Sequence, residues 1–300
     1  MSITGWLFPG QASQYVGMGK SLEKQSKYFD KANDILGYDL REMCFEGPLE
    51  KITLAVHIQP AIFTVSCMAA AELESMGVKP DYVAGHSVGE YGALVSAGVF
   101  DFETGLKIID RRAKLMNEAT EACDGVMAAV LGMSGEAIEE VLAGRNGLVG
   151  MAGFNSPKQQ VISGDKNAVL EVVEELKGKG ARRAVVLPVG GPCHSKLMES
   201  ARVGFKEFLA DQNFNEPAVP YVSNLDGTIK SDPDDIRDSL SQLLISPVRW
   251  ISCLETMAEN NVEKFLEVGP GKVLSGLVKQ TLSDIPCTPV ESPESMKEIN

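Results

Sequence analysis

Histidine is scarce in this chain. Three imidazoles in 300 residues, at His57, His86 and His194, are all that histidine-based acid–base chemistry can draw on. Cysteine occurs six times, at Cys44, Cys67, Cys123, Cys193, Cys253 and Cys287, but never as a C-x-x-C pair. Cys and His nowhere cluster at ligand spacing, which argues against a metal site. With no secretory leader at the N-terminus, the cysteines read as reduced thiols of a cytoplasmic protein. Positive charge is short as well: 28 Lys and Arg stand against 41 Asp and Glu, for a net −13. That argues against nucleic acid as a partner over the whole surface, though not against a local basic patch. No apolar run reads as long enough to cross a bilayer, so no membrane partner is expected.

What is present is a hydrophobic content of 44%, enough for a substantial core in one large α/β domain or two small ones. Ile3–Phe8 reads as a short buried strand ending in Pro9-Gly10-Gln11-Ala12-Ser13-Gln14. Helical patterns follow at Met18–Leu36, Pro60–Met76, Val88–Gly98 and Phe102–Thr120, with a strand at Pro80–Ala84 among them. Strands alternating with helices imply a parallel sheet covered on both faces. The stretch 125–189 differs. Strands at Val126–Met133, Leu148–Phe154, Gln159–Ser163 and Arg182–Val189, with helices at Gly135–Ala143 and Ala168–Lys177, spell βαββαβ. That order is the split-βαβ or ferredoxin-like unit, here inserted between residues 1–124 and 190–300 of a larger domain. Beyond it a strand is expected at Ala218–Ser223, helices near Asp234–Leu244 and Ile251–Asn260, a strand at Glu263–Val268 and a helix at Lys272–Leu282. The tail after Pro293 reads as loose.

Gly85-His86-Ser87-Val88-Gly89 stands between the strand Pro80–Ala84 and the helix Val88–Gly98. A Gly-x-Ser-x-Gly in that setting is a nucleophile elbow, which lifts the serine hydroxyl clear of the sheet. The alternative is a plain Gly-flanked turn. A serine needs a base. His86 adjoins Ser87 and diverges from its hydroxyl, so packing or a hydrogen bond inside the turn suits it. His57 lies at a helix start and reads as structural. His194 follows the loop Gly190-Gly191-Pro192-Cys193 beyond a strand, where catalytic groups tend to sit, and is the candidate base. No acid between positions 87 and 194 is marked out to orient it, so either a carboxylate or a backbone carbonyl could. Of the two donors an oxyanion needs, one is the Val88 N–H and the other is expected from Gly10-Gln11, although Pro9-Gly10 also reads as an ordinary turn.

On the helix Phe102–Thr120, Lys107, Arg111, Lys114 and Glu118 form a solvent stripe. Gly105, Ile108, Ile109, Arg112 and Met116 lie on the opposite face, so Arg112 points inward. An inward guanidinium needs an anion. Pattern alone leans toward an internal salt bridge, and the other reading is a fork for a substrate carboxylate. Between Leu176 and Met198 stand Lys177, Lys179, Arg182, Arg183 and Lys196 with no acid. That island is either a solvated helix end or a docking patch for an acidic partner.

Eight stretches, in order, resemble the malonyl-CoA:acyl-carrier-protein transacylase family. They are Phe8-Pro9-Gly10-Gln11-Ala12-Ser13-Gln14, Gln59-Pro60-Ala61, Gly85 to Tyr91, Arg112-Ala113-Lys114-Leu115-Met116, Asn155-Ser156-Pro157, Gly191-Pro192-Cys193-His194-Ser195, and Pro247-Val248-Arg249-Trp250, with Glu267-Val268-Gly269-Pro270-Gly271 closing the series. The resemblance implies a hydrolase-like α/β core with a mostly parallel sheet plus an inserted ferredoxin-like subdomain. It implies Ser87 as nucleophile, His194 as base, the N–H groups of Gln11 and Val88 as oxyanion hole, and Arg112, helped by Gln59, as the holder of the malonyl carboxylate. The histidine-orienting backbone carbonyl would be that of Gln242. No cofactor is implied, since the CoA thioester is the substrate, and the partner would be acyl carrier protein. Two departures are Ala12, where Gly is commoner, and Cys193, where relatives carry Phe or Ser beside the acyl pocket. Rivals to this reading are a trans-acting acyltransferase of a polyketide synthase, an acyl hydrolase, and a catalytically dead scaffold that holds a carrier protein.

Overall fold

The computed structural model describes residues 2–145, 147–188 and 190–299. Among these residues ten strands form two sheets. The first sheet contains β1 (Thr4–Phe8), β2 (Tyr82–Gly85), β7 (Tyr221–Val222), β8 (Ile229–Lys230), β9 (Lys264–Val268) and β10 (Cys287–Val290), in the order β10-β9-β1-β2-β7-β8. All neighbours are parallel except the β7–β8 pair. β1 lies near the middle and is buried at all five positions. Its alternation sends Trp6 and Phe8 into one hydrophobic core and Leu7 into another on the opposite face. Both faces are therefore covered by helices, as the alternating pattern requires.

The second sheet holds β3 (Gly125–Leu131), β4 (Val149–Ser156), β5 (Gln159–Asp165) and β6 (Arg183–Val186), in the order β4-β5-β3-β6, antiparallel throughout. The ferredoxin-like order expected from βαββαβ is what is found. The last strand is shorter than its predicted span, and the predicted end at Val189 lies outside the described residues. Helices Gly135–Leu142 and Lys166–Gly178 are capped by Ser134 and Asp165, whose side chains accept from the N–H groups of Ala137 and Ala168. Ile138, Val141, Val169, Val172 and Leu176 on these helices join Ala128, Val130 and Ile162 of the sheet in a hydrophobic core separate from the other two.

Several sequence expectations are corrected. The helix Ala55–Ser75 does meet the length and hydropathy of a bilayer span, with a mean hydropathy of 1.2, but 83% of that window is buried inside the protein. It is a core helix, apolar on every side because other elements surround it. Its internal Pro60 leaves the Val56 carbonyl without an amide partner, and the Tyr38 hydroxyl lies 3.5 Å from that oxygen. The pattern Met18–Leu36 is not one helix. Gly19, at φ 81°, precedes a 3-10 stretch at Lys20–Gln25, and the α-helix begins at Lys27. The tail is not loose: Ser292 and Ser295 form a capping box for Pro293–Met296, and Met296 is buried. Helices Leu40–Glu46 and Glu199–Ala210, and strands β8 and β10, were not anticipated. β10 carries Pro289, which hides it from a strand reading. Proline is tolerated there because β10 is an edge strand.

The two sheets are stitched together near Val248. The Phe154 N–H donates to the Val248 carbonyl at 2.9 Å, and the Val248 N–H donates to the Ala152 carbonyl at 3.0 Å. The Arg249 guanidinium lies over the Phe154 ring at 5.4 Å. The Ser156 hydroxyl donates to Gln280 Oε1 at 3.0 Å.

Candidate active site

The carboxyl ends of parallel strands gather loops at one edge of a sheet, where α/β folds place ligands. Here β1 runs into Gly10-Gln11, β2 into Ser87, and β7 into Asn224. The register Phe8↔Gly85 and a hydrogen bond from the His86 N–H to the Phe8 carbonyl, 2.9 Å, hold the first two loops side by side.

The elbow is as tight as its motif requires. A Cβ at Gly85 would stand 2.0 Å from the Gly89 carbonyl carbon, and one at Gly89 would stand 2.1 Å from the Phe8 carbonyl oxygen. No side chain fits at either position. Ser87 itself sits at φ 51°, in the left-handed region that a non-glycine residue adopts at a cost. The helix Gly89–Ser96 begins two residues later.

His194 comes from the loop before the 3-10 turn Lys196–Met198, also at positive φ, 59°. Its Nε2 lies 2.9 Å from Ser87 Oγ. Its Nδ1 lies 2.8 Å from the Leu243 carbonyl oxygen. A carbonyl can only accept, so Nδ1 carries the proton and Nε2 is left as the acceptor facing the serine hydroxyl. The oxygen reached is that of Leu243, one residue beyond the expected Gln242. Gln242 is the last residue of the helix Pro233–Gln242, and the chain then tightens into a 3-10 turn at Leu243–Ile245 that turns the Leu243 carbonyl to the imidazole. Burial, then the charge of Arg112, pushes the His194 pKa down to about 4, against the opposing pull of the Leu243 carbonyl. The ring is therefore neutral at physiological pH.

Arg112 is 1% exposed, on the inner face of the helix Phe102–Glu121. The salt bridge that pattern alone favoured is absent: among the described residues no carboxylate pairs with this guanidinium. Instead Nη1 donates to Gln59 Oε1, and Nη2 lies 3.2 Å from Ser87 Oγ. Gln59, fully buried in the helix Ala55–Ser75, directs its amide nitrogen to the Met116 sulfur at 3.8 Å. Tyr91 lies beneath the guanidinium, 5.8 Å away. A buried cation with only neutral partners is costly on its own and suited to an incoming anion.

The N–H groups of Gln11 and Val88 donate to no other protein group among the described residues. Cys193 is buried, and its thiol donates to the Gly190 carbonyl at 3.0 Å. His86 does not bond within its turn. Its Nε2 lies 2.9 Å from Asn155 Oδ1 on β4, and its ring meets Trp250 edge-on. His57 sits against Tyr38, with Nδ1 2.9 Å from the Lys51 carbonyl. Of the basic island, Lys177 and Lys179 pair with Glu174 and Glu175 at 2.7 and 3.1 Å, whereas Arg182, Arg183 and Lys196 are exposed and in no ion pair among the described residues.

Sequence reading missed Glu90 and Asn224. Glu90 is buried, accepts from the Tyr221 hydroxyl at 2.5 Å and from the Asn224 N–H at 2.7 Å, and has its pKa raised to about 7 by burial. Asn224 Oδ1 in turn accepts from the Ser87 N–H at 2.7 Å. The available signal was position: Asn224 directly follows the predicted strand Ala218–Ser223.

A serine in an elbow, a neutral imidazole against its hydroxyl and backbone donors beside it make up the equipment of acyl transfer through a serine ester. The chain belongs to the acyl transferase domain family, which it matches over residues 5–297. It is 40% identical over 304 residues to a malonyl CoA-acyl carrier protein transacylase of Bacillus subtilis, covering 99% of this chain and 96% of that one. A crystal structure of an acyl carrier protein S-malonyltransferase from Vibrio cholerae superposes with a TM-score of 0.95 at 38% identity, over the full length of both chains. A malonyl-transacylase in complex with a type II PKS acyl-carrier protein superposes equally well, at 36% identity over 99% of this chain and 98% of that one.

Proposed function

We propose that this acyltransferase moves a malonyl group from malonyl-CoA to the phosphopantetheine thiol of an acyl carrier protein, in fatty acid biosynthesis. Ser87 Oγ attacks the thioester carbonyl while His194 Nε2 takes its proton. The tetrahedral oxyanion is received by the N–H groups of Gln11 and Val88. The C–S bond breaks, His194 returns the proton to the CoA sulfur, and malonyl-Ser87 remains. The carrier thiol then attacks that ester with His194 again as base, and Ser87 is released. Every role is filled by side chains and backbone, and the CoA thioester enters as substrate rather than cofactor.

The observation that carries the malonyl assignment is Arg112: buried, without a carboxylate, and 3.2 Å from the nucleophile. An acyl chain ending in a carboxylate would complete the guanidinium's pairing, whereas an acetyl group would leave it desolvated. An acyl hydrolase has no need of such a group, and a binding scaffold has no need of a serine–histidine contact. Arg112→Ala is expected to lower kcat/KM for malonyl-CoA by about 10²-fold or more, and for acetyl-CoA by far less. Equal losses on both substrates would assign Arg112 to structure alone.

Exposed Arg182, Arg183 and Lys196 are the docking residues we favour for the acidic carrier. The ion pairs of Lys177 and Lys179 make those two lysines secondary. Transfer to a polyketide carrier is the second reading, supported by the relative solved with a type II PKS carrier. Residues 1–124 and 190–300 are taken as the catalytic core and 125–189 as the inserted unit, a division supported by their separate hydrophobic cores. A cytoplasmic setting is supported by six unpaired thiols.

A further inference from the structure

The Ser87 hydroxyl is placed by its backbone, and that backbone is in an unfavourable conformation. At φ 51° the residue needs something to hold it there. Its N–H donates to Asn224 Oδ1 at 2.7 Å, its one protein partner among the described residues. Asn224 is fully buried, and each of its polar groups is engaged. Its N–H donates to Glu90 Oε1 at 2.7 Å, its carbonyl accepts from the Arg249 N–H at 2.9 Å, and its amide nitrogen lies 3.6 Å from Cys253 Sγ. Glu90 is fixed in turn by the Tyr221 hydroxyl at 2.5 Å. The Arg249 end of this chain adjoins Val248 and the segment carrying the Leu243 carbonyl that turns His194.

We infer that Asn224 is a positioning residue: it pins the Ser87 peptide in its left-handed conformation, with Glu90 as the anchor, and ties the nucleophile's loop to the segment that orients the base. This rests on Ser87 being the nucleophile. The alternative is that Asn224 only fills the interior. The two differ in what they predict. Loss of the acceptor frees the Ser87 peptide to rotate toward water, carrying Oγ off line with His194, and a displacement near 1 Å costs about 10²-fold in rate. That rotation removes the 3.2 Å contact of Arg112 Nη2 with Ser87 Oγ but leaves the guanidinium bonded to Gln59, so the carboxylate site keeps its shape and KM is expected to change little.

The test is single-turnover acylation by radiolabelled malonyl-CoA, measured per folded site for wild type, N224A, E90A, E90Q and S87A, with KM and thermal melting measured alongside. N224A is expected to acylate about 10²-fold more slowly with KM for malonyl-CoA within about twofold of wild type. E90A is expected to fall in the same direction. E90Q, which keeps an oxygen to accept from Asn224 and Tyr221, is expected to recover most of the loss seen in E90A. If N224A does not melt cooperatively, the E90A and E90Q pair carries the comparison. Wild-type acylation per folded site in N224A, or E90Q no better than E90A, overturns the proposal. Acyl-enzyme formed by S87A would instead remove the nucleophile assignment beneath it.

Discussion

The carboxyl edge of the six-stranded sheet and the edge of the four-stranded sheet meet at one site, and they bring different things to it. The larger sheet supplies Ser87, the Gln11 and Val88 N–H groups and, through its covering helices, Arg112 and Gln59. Each is set by local rules: a parallel register, a tight elbow and the phase of one helix. Among the described residues the smaller sheet supplies no hydrogen-bond partner for Ser87 Oγ. It braces from behind instead: Asn155 holds the ring of His86, the residue before Ser87, and Ala152 and Phe154 form a ladder with Val248 on the His194 side. The segment it braces is the one whose Leu243 carbonyl fixes the His194 tautomer. Both the serine loop and the imidazole's segment lean on the second sheet, the first through one side-chain contact and the second through a backbone ladder.

That contrast can be broken from either side. The largest effect belongs to His194, the proposed base. His194→Ala is expected to lower single-turnover acylation by about 10⁴-fold or more, and a loss under tenfold would show that the serine does not depend on it.

Next comes pH. A His194 pKa near 4 in the free enzyme leaves the base neutral across the physiological range, so kcat/KM should hold down to about pH 4 and fall below it. A substrate carboxylate on Arg112 removes part of the charge that lowers this pKa, so the limb in kcat should lie at higher pH than the limb in kcat/KM. The same depression affects stability. Between the ordinary histidine value of 6.5 and about 4, the unfolded chain binds the proton and the folded chain does not, so stability rises with pH through that window. Acidification across it should remove on the order of 3 kcal/mol, measurable by urea unfolding at stepped pH. A flat profile in both kcat/KM and stability would mean that His194 is not held in this environment.

Smaller effects test the brace. Asn155→Ala takes from the His86 ring the partner that reaches it from β4, and should cost about 1–3 kcal/mol in urea unfolding. If the small sheet steadies the Ser87 elbow through His86, the acylation rate should fall severalfold with KM unchanged. A stability loss with no change in rate would confine the brace to folding. The smallest effect is at Ala12, held at φ 85°. Ala12→Gly relieves a left-handed alanine but adds unfolded-state freedom, for a net gain of about 0.5 kcal/mol or less.

The same contrast explains what could be read from the sequence. Ser87, Val88 and the inward turn of Arg112 follow from spacing and phase within a dozen residues. His194 follows from having few histidines to choose among. The Leu243 carbonyl was missed by one residue, because which oxygen faces the ring depends on how a helix end tightens into a 3-10 turn. Glu90 and Asn224 were missed because their value lies in contacts 134 residues apart. The edge strand β10 and the helix Leu40–Glu46 escaped notice because a proline breaks the pattern of the first and the second is only seven residues long. Whether Arg112 faced a carboxylate of this chain or of a ligand could not be read from one helix. It required seeing that no carboxylate of another described element forms an ion pair with Arg112.

The central claim is that Ser87 becomes esterified and that Arg112 chooses what it carries. Incubating the full chain with an equimolar mixture of malonyl-, methylmalonyl-, acetyl- and butyryl-CoA, followed by intact mass and peptide mapping, reads both at once. The account predicts one adduct, on Ser87, bearing a carboxylate-ended acyl group. An adduct on another residue, or acetyl and butyryl adducts as abundant as malonyl, would contradict it.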